Sequence, residues 1–418
     1  AGSRAQHRFK LYLQVVIMHR VARISAQVTA GGFTSSSPDD VVICAAVRTP
    51  ITRFKKGGLA KLSPEELLAP LFKAVVDRTG VDMNTIGECC IGTVLGGSVV
   101  GISGRMAQLM GGLPVEVPTS TVNRQCSSGL QAVASVADAI RVGRYDIGLA
   151  GGVESMTQFD IKGMIDPAKY SEAGKAHPVA SHCLDPMGIT AENVAEKYGV
   201  LREHMDRLAA DSHAKAVAAQ NAGRFSEEIV PFEVDGKLVD RDDGVRPDVT
   251  FESLSKMKPV FKPTGSTTPG NCSQISDGAS LLLLARRSVA EARKLPVLAS
   301  FVGFEVAGVP PEIMGIGPIE AVPKLLDRAG LRVEDVDLWE MNEAFASQAV
   351  FCCDHLKIDP AKVNVNGGAI ALGHPLGSTG ARLIASIIPE MKRRGSRNGV
   401  VTMCVGTGMG AAGLIRLE

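Results

Sequence analysis

Asn123-Arg124-Gln125-Cys126-Ser127-Ser128-Gly129-Leu130 sets a cysteine between a polar turn and a stretch whose Leu130, Val133, Ala134, Ala137 and Ile140 share one helical face. Residues 147–150 then read as a strand, closed by a glycine turn at Gly151-Gly152. The layout returns near the C-terminus. There Gly373-His374-Pro375-Leu376-Gly377 leads into Leu383, Ile384, Ile387, Ile388 and Met391, again one helix face. A strand over residues 400–405 and a glycine turn over 406–410 follow. Each unit carries a reactive side chain just ahead of its helix, and two like halves facing each other are expected.

Working outward, Asp39-Asp40 precede an apolar run over residues 41–47 that reads as a buried strand, so the folded body is expected to begin there. Ser63-Pro64-Glu65-Glu66 is a helix start, with a capping residue, proline at the first helical position and acids in the first turn. The alternation of helix and strand favours a largely parallel sheet. Residues 156–273 are more polar and hold helical stretches over 192–198 and 203–222. They end in the turn-dense Pro263-Thr264-Gly265-Ser266-Thr267-Thr268-Pro269-Gly270-Asn271. This segment reads as an inserted loop or lid domain, after which residues 281–284 rejoin a sheet as a strand. The expected division is an extension over 1–38, a first half over 39–155 plus 274–298, the loop domain over 156–273 and a second half over 299–418.

Aromatic residues are 4% of the 418 while glycines number 45, which suits tightly packed small side chains in an α/β protein of two or three domains. A net charge of +1 gives no overall basic field for nucleic acid. The basic residues do gather in the extension, where Arg4, Arg8, Lys10, Arg20 and Arg23 precede the first acid, Asp39. The apolar run over 41–47 is far short of the roughly 18 residues that suggest a membrane span. Nine cysteines without a C-x-x-C support neither a zinc ribbon nor a thioredoxin motif, and no metal site is expected. Their odd, scattered arrangement fits reduced thiols in an intracellular compartment.

Gly408, Gly410 and Gly413 match a dinucleotide fingerprint, but the chain ends before the helix and acid such a site needs. Cys126 lies at a helix start, where the dipole and nearby N–H groups favour thiolate; taken alone it also fits a buried core thiol. His374, in a loop bounded by glycine and proline, suits a rigidly held base or a structural histidine. Cys404 ends a strand and precedes Gly-Thr-Gly-Met-Gly, whose N–H groups suit an oxyanion, so it reads as either catalytic or core. Asn342 sits in a strand-to-helix turn after Trp339, where it holds a water or carbonyl oxygen, or caps the helix.

Taken together, these residues resemble the thiolase family over residues 41–418. The motifs that carry the likeness are the Cys126 stretch above, Gly270-Asn271-Cys272-Ser273 with Ser276-Asp277-Gly278-Ala279, Trp339-Glu340-Met341-Asn342-Glu343-Ala344-Phe345, Gly373-His374-Pro375-Leu376-Gly377 and Cys404-Val405-Gly406-Thr407-Gly408. The resemblance implies a duplicated five-layered α-β-α-β-α architecture with an inserted loop domain. It also implies CoA-dependent cleavage of a 3-ketoacyl-CoA to acetyl-CoA and a two-carbon-shorter acyl-CoA. Cys126 is then the nucleophile, His374 its base, and Cys404 the acid and base toward enolate and CoA. Asn342, through a bound water, and His374 form one oxyanion hole, and the N–H groups of Cys126 and Gly406 form the other.

For CoA, a co-substrate rather than a permanent cofactor, similarity points to Ser273, Arg246, Ser253 and Met187. The stretch Cys183-Leu184-Asp185-Pro186-Met187-Gly188 is similar to the peroxisomal, degradative branch of the family. Arg20-Val21-Ala22-Arg23-Ile24-Ser25-Ala26-Gln27-Val28 is similar to its bipartite import signal, which implies an organelle import receptor as partner. The expected location is a peroxisome or glycosome-like organelle; a mitochondrial transit peptide is the alternative. Met18, just ahead of the signal, is a candidate start that would leave residues 1–17 without a role in the fold. The family implies a homodimer or a dimer of dimers. The alternatives are an acetoacetyl-CoA thiolase working toward condensation, a ketoacyl synthase, which is expected to carry His or Asn in place of Cys404, and a non-catalytic acyl-CoA binder.

Overall fold

A computed structural model describes residues 36–163 and 165–418, so the import-signal stretch lies outside the described residues. In chain order the main strands are β1 (Val41–Arg48), β2 (Cys89–Gly92), β3 (Thr119–Val122), β4 (Ile147–Ser155), β5 (Ser276–Arg286), β6 (Ala299–Gly308), β7 (Leu338–Met341), β8 (Asn398–Val405) and β9 (Met409–Arg416). The main helices are α1 (Pro64–Thr79), α2 (Gly97–Met110), α3 (Ser128–Arg141), α4 (Met187–Tyr198), α5 (Arg202–Asn221), α6 (Gly317–Ala329), α7 (Ala346–Leu356) and α8 (Leu376–Arg394). With the short Thr52–Arg53 beside β5, the strands form one hydrogen-bonded sheet in the order β7-β8-β9-β6-β1-β5-β4-β2-β3.

The sheet is mixed, which corrects the expectation of a largely parallel one. Only β7/β8, β4/β2 and β2/β3 run parallel. β8 and β9 are joined by a tight turn and so must be antiparallel. The central β1 pairs antiparallel with β5 and β6, both contributed from far along the chain, and no local alternation reports that direction.

Layering follows from which faces are apolar. α1 and α2 cover the outer face of the first half, and α6 and α7 that of the second. α3 and α8 pack on each other between the two, touching strands from both. The result is α-β-α-β-α, with the two halves of the sheet joined along β1/β6. Because helices cover both of its faces, β5 is buried throughout, and Leu281, Leu282, Leu283 and Leu284 form an unbroken apolar run. Burial of each contributes about 2 kcal/mol.

The start of α1 forms as its sequence predicts. Glu66 accepts from the Ser63 N–H at 2.8 Å, and Pro64 occupies the first turn. Gly151 and Gly152, expected to make a turn, instead lie inside β4. A Cβ at Gly151 would overlap the Ser280 carbonyl, and one at Gly152 the Gly377 carbonyl at the start of α8. Glycine here marks a close backbone approach. Gly410, likewise expected in a turn, is inside β9.

Residues 156–273 hold α4, α5 and a small hairpin, Phe232–Val234 with Lys237–Val239. α5 packs on α7 and on the short helix Ala369–Leu372. The segment is tied back to β1 by Arg48, fully buried and bonded to Glu228 at 2.7 Å and Asp242 at 2.6 Å. A buried guanidinium needs such partners to leave water.

Candidate active site

The turn between β3 and α3 is built by its own polar side chains. Asn123 accepts from the Gln125 N–H at 2.9 Å and donates to the Val94 carbonyl at 3.2 Å. Ser128 accepts from the Arg124 N–H at 2.9 Å and donates to the Gln125 carbonyl at 2.6 Å. These bonds hold Gln125 at φ 44°, a left-handed conformation unfavourable for a residue with a Cβ. Cys126, one residue later, is thereby set just ahead of α3, where it is 9% exposed.

The expectation that this environment favours thiolate is corrected. Burial pushes the Cys126 thiol up to about 11, and the Glu154 carboxyl adds to the rise. The N–H groups of Gly406 and of Cys126 itself oppose it without prevailing. At rest the group is a thiol, and a base must remove its proton.

Cys404 lies near the end of β8, fully buried, and burial together with the nearby Cys126 sulfur raises its thiol well above the ordinary value. The chain then turns through Gly406, Thr407 and Gly408. Thr407 takes φ 66°, a second left-handed non-glycine residue, and a Cβ at Gly406 would sit 3.6 Å from Gln125. The two strained turns thus meet at the two thiols. Met314 and Ala344 are buried around Cys404, with Met187 and Phe345 packed on them. The Cys404 Sγ–H donates to Gln348 Oε1 at 3.7 Å, and the Phe345 N–H donates to the same oxygen at 3.4 Å.

His374 is held in one tautomer. The Thr379 hydroxyl donates to the Pro375 carbonyl at 2.9 Å, so at 2.6 Å from His374 Nδ1 it must accept. Nδ1 therefore carries the proton, and Nε2 presents its lone pair, accepting from Asn342 Nδ2 at 3.3 Å. Burial, with a contribution from the Arg382 cation, holds the imidazole down to about 3, so it is neutral at physiological pH. Asn342 itself is fixed by its N–H on Thr402 in β8, and its buried Oδ1 has no protein partner. It does not cap the next helix; Phe345 stands at that position.

Of the residues singled out from the sequence, Cys126, Cys404, Gly406, Asn342 and His374 are brought into one buried site, with Met187 beside Cys404. Ser273 joins them through its N–H on the Ala344 carbonyl at 3.0 Å. Arg246 and Ser253 lie on exposed backbone, and the Ser253 hydroxyl donates to the Thr250 carbonyl at 2.8 Å in a local helix cap. Glu154, Gln348 and Thr379 were not found in the sequence. Thr379 alone had a local signal, since it lies only five residues beyond His374, in the first turn of α8. No group of three His, Cys, Asp or Glu side chains among the described residues is placed to hold a metal ion.

Residues 41–288 match the N-terminal domain of thiolase, and residues 295–417 match the C-terminal domain. A peroxisomal 3-ketoacyl-CoA thiolase of Arabidopsis thaliana is 52% identical over 91% of this chain and 84% of its own length. The dimeric peroxisomal thiolase of Saccharomyces cerevisiae superposes with a TM-score of 0.88 at 47% identity, covering 92% of this chain and 99% of that one. Human mitochondrial 3-ketoacyl-CoA thiolase in complex with CoA gives 0.83 at 36% identity, covering 91% and 98%. Family models over both halves, together with relatives alike along nearly the whole chain, establish that this protein belongs to the thiolase family.

Proposed function

We propose that this protein is a peroxisomal 3-ketoacyl-CoA thiolase of fatty acid β-oxidation, and that the two buried thiols and the Nδ1-protonated imidazole carry the reaction. The observation that supports this reading most is the division of labour at the site: two buried thiols held protonated, and a histidine held neutral with the lone pair on Nε2.

His374 Nε2 takes the proton of Cys126, and the thiolate attacks C3 of the 3-ketoacyl-CoA. The N–H groups of Cys126 and Gly406, both in range of Sγ, receive the alkoxide. As the C2–C3 bond breaks, the acyl group stays on Cys126 and the electron pair becomes the acetyl-CoA enolate. Asn342, through a bound water, and His374, now carrying a proton on Nε2, stabilise the enolate oxygen. Cys404 gives its proton to C2, and acetyl-CoA leaves. Incoming CoA returns a proton to Cys404, its thiolate attacks the acyl-enzyme, and Cys126 leaves as thiolate to regain its proton from His374. CoA is consumed as a co-substrate. Ser273 and Met187 line its route to the thiols, Arg246 and Ser253 lie where the nucleotide end meets solvent, and the segment over 156–273 serves as the lid.

The experiment is CoA-dependent cleavage of acetoacetyl-CoA and of a long-chain 3-ketoacyl-CoA side by side. Efficient cleavage of the long substrate is expected. Cleavage of acetoacetyl-CoA alone would instead make the protein the short-chain enzyme.

The homodimer has an evident face. Val99, Ile102, Met106, Leu109 and Met110 are exposed along one side of α2, whose opposite side is buried. Beside them β3 forms the open edge of the sheet. An apolar stripe next to an unpaired edge is what a second copy covers. Ile102→Asp is expected to convert the dimer to monomer in light scattering coupled to gel filtration; a variant that still elutes as a dimer excludes this face.

A further inference from the structure

Glu154, at the end of β4, is 1% exposed, and no lysine or arginine among the described residues pairs with it. A buried carboxylate without a cation needs another source of stabilisation. It is found in backbone donors drawn from two places. Glu154 accepts from the Val94 and Leu95 N–H groups at 3.0 Å each, with Gly96 beside them, just ahead of α2. From the other half of the molecule it accepts from the Gly377 N–H at 2.9 Å, in the first turn of α8 and three residues after His374. These partners are all donors, which hold a carboxylate and offer nothing to a carboxyl proton.

The ground around it is backbone on backbone. A Cβ at Gly377 would sit 2.7 Å from Thr93 Cα and 2.8 Å from the Gly92 carbonyl oxygen. Val94 in turn accepts from Asn123 of the nucleophile turn. The ends of β2 and β4, the start of α8 and the turn that presents Cys126 therefore converge on one carboxylate. The positive dipole ends at the starts of α2 and α8 add to the stabilisation of this anion.

Taking Cys126 as the nucleophile, we propose that Glu154 is a positioning residue of the acyl-transfer step. Its carboxylate fastens the His374 loop to the strand end on which the Cys126 turn is held, and its charge adds to the burial that disfavours a resting thiolate. The other titratable or charged groups about that thiol are Cys404, the neutral His374 and Arg124, and the Arg124 guanidinium is turned away onto Gln131 at 2.6 Å. None of them supplies a second negative charge at rest.

The test is the pH dependence of iodoacetamide alkylation at Cys126, identified by peptide mass, followed between pH 7.5 and 11 on the dimeric enzyme together with thiolysis. Burial pushes Glu154 up to about 7, so its ionised form predominates across that range. In Glu154→Gln the alkylation midpoint is expected to fall by roughly 0.3–0.5 pH unit, giving about two- to three-fold faster labelling at pH 8, while kcat for thiolysis falls because Gly377 and His374 shift. An unchanged midpoint with Cys126 still the labelled residue overturns the proposal and leaves the nucleophile assignment intact. Labelling at a different cysteine overturns both. If Glu154→Gln does not fold, Glu154→Asp keeps the charge one methylene shorter. A wild-type midpoint with lowered kcat then supports the proposal, and a fallen midpoint overturns it.

Discussion

Replacing Cys126 with alanine is expected to lower CoA-dependent cleavage of a 3-ketoacyl-CoA by about 10^4- to 10^6-fold, the range seen when a nucleophile is removed and binding is kept. The loss should fall on kcat, because the thiol is small and makes no hydrogen bond on which the fold depends. Alanine at 9% exposure leaves the helix start and Gln125 turn in place. The thermal midpoint should therefore stay within a few degrees of the parent. Mass spectrometry of the parent mixed with substrate in the absence of CoA should find the acyl group on Cys126, and none on the variant. An alanine variant retaining a tenth of the activity would remove Cys126 from the mechanism.

Cys404→Ala is expected to lower the same reaction by about 10^3- to 10^4-fold, near the upper end for a general acid and base. Its distinguishing readout is exchange. In heavy water the parent enzyme should wash deuterium into the methyl group of acetyl-CoA, since Cys404 moves a proton to and from that carbon. The variant should not, although it should still accept an acyl group on Cys126. The direction of the pH effect follows from burial. The Cys404 thiol sits well above its ordinary value and thus stays protonated and ready as an acid across the neutral range. Activity should hold as pH rises through 8, where an exposed thiol would already be losing its proton. Exchange at the parent rate in the variant would assign the proton to another group.

Much of this site is legible in the sequence because its chemistry sits at segment ends. Cys126, His374 and Cys404 each stand where a strand or helix meets a glycine- or proline-bearing loop, and such junctions leave local signatures. What stays hidden is what the tertiary fold adds. Glu154 follows Val153 in an ordinary strand, and its donors come from residues 94–96 and from Gly377, which no local window joins. Gln348 reads as one polar residue in a helix. The thiolate expectation at Cys126 failed for the same reason: a helix start is visible in sequence, whereas burial and the charge of a carboxylate brought in by another strand are not. Gly151 and Gly152 read as a turn because glycine serves both turns and close backbone approach, and only the positions of Ser280 and Gly377 decide between them. The direction of the β1 pairings was equally out of reach.

That central position of β1 also sets a timetable. Thr49, at its end, bonds to Ala279, 230 residues later. At 5–20 residues per second, a ribosome needs roughly 10–50 s to deliver that partner. Throughout that interval Val41-Val42-Ile43-Cys44-Ala45-Ala46-Val47, uncharged, free of proline and rich in β-branched residues, has been made but has no strand to join. The segment at the centre of the finished sheet is thus the one that waits longest, and protection of the nascent chain during that wait governs how much of it reaches the folded state.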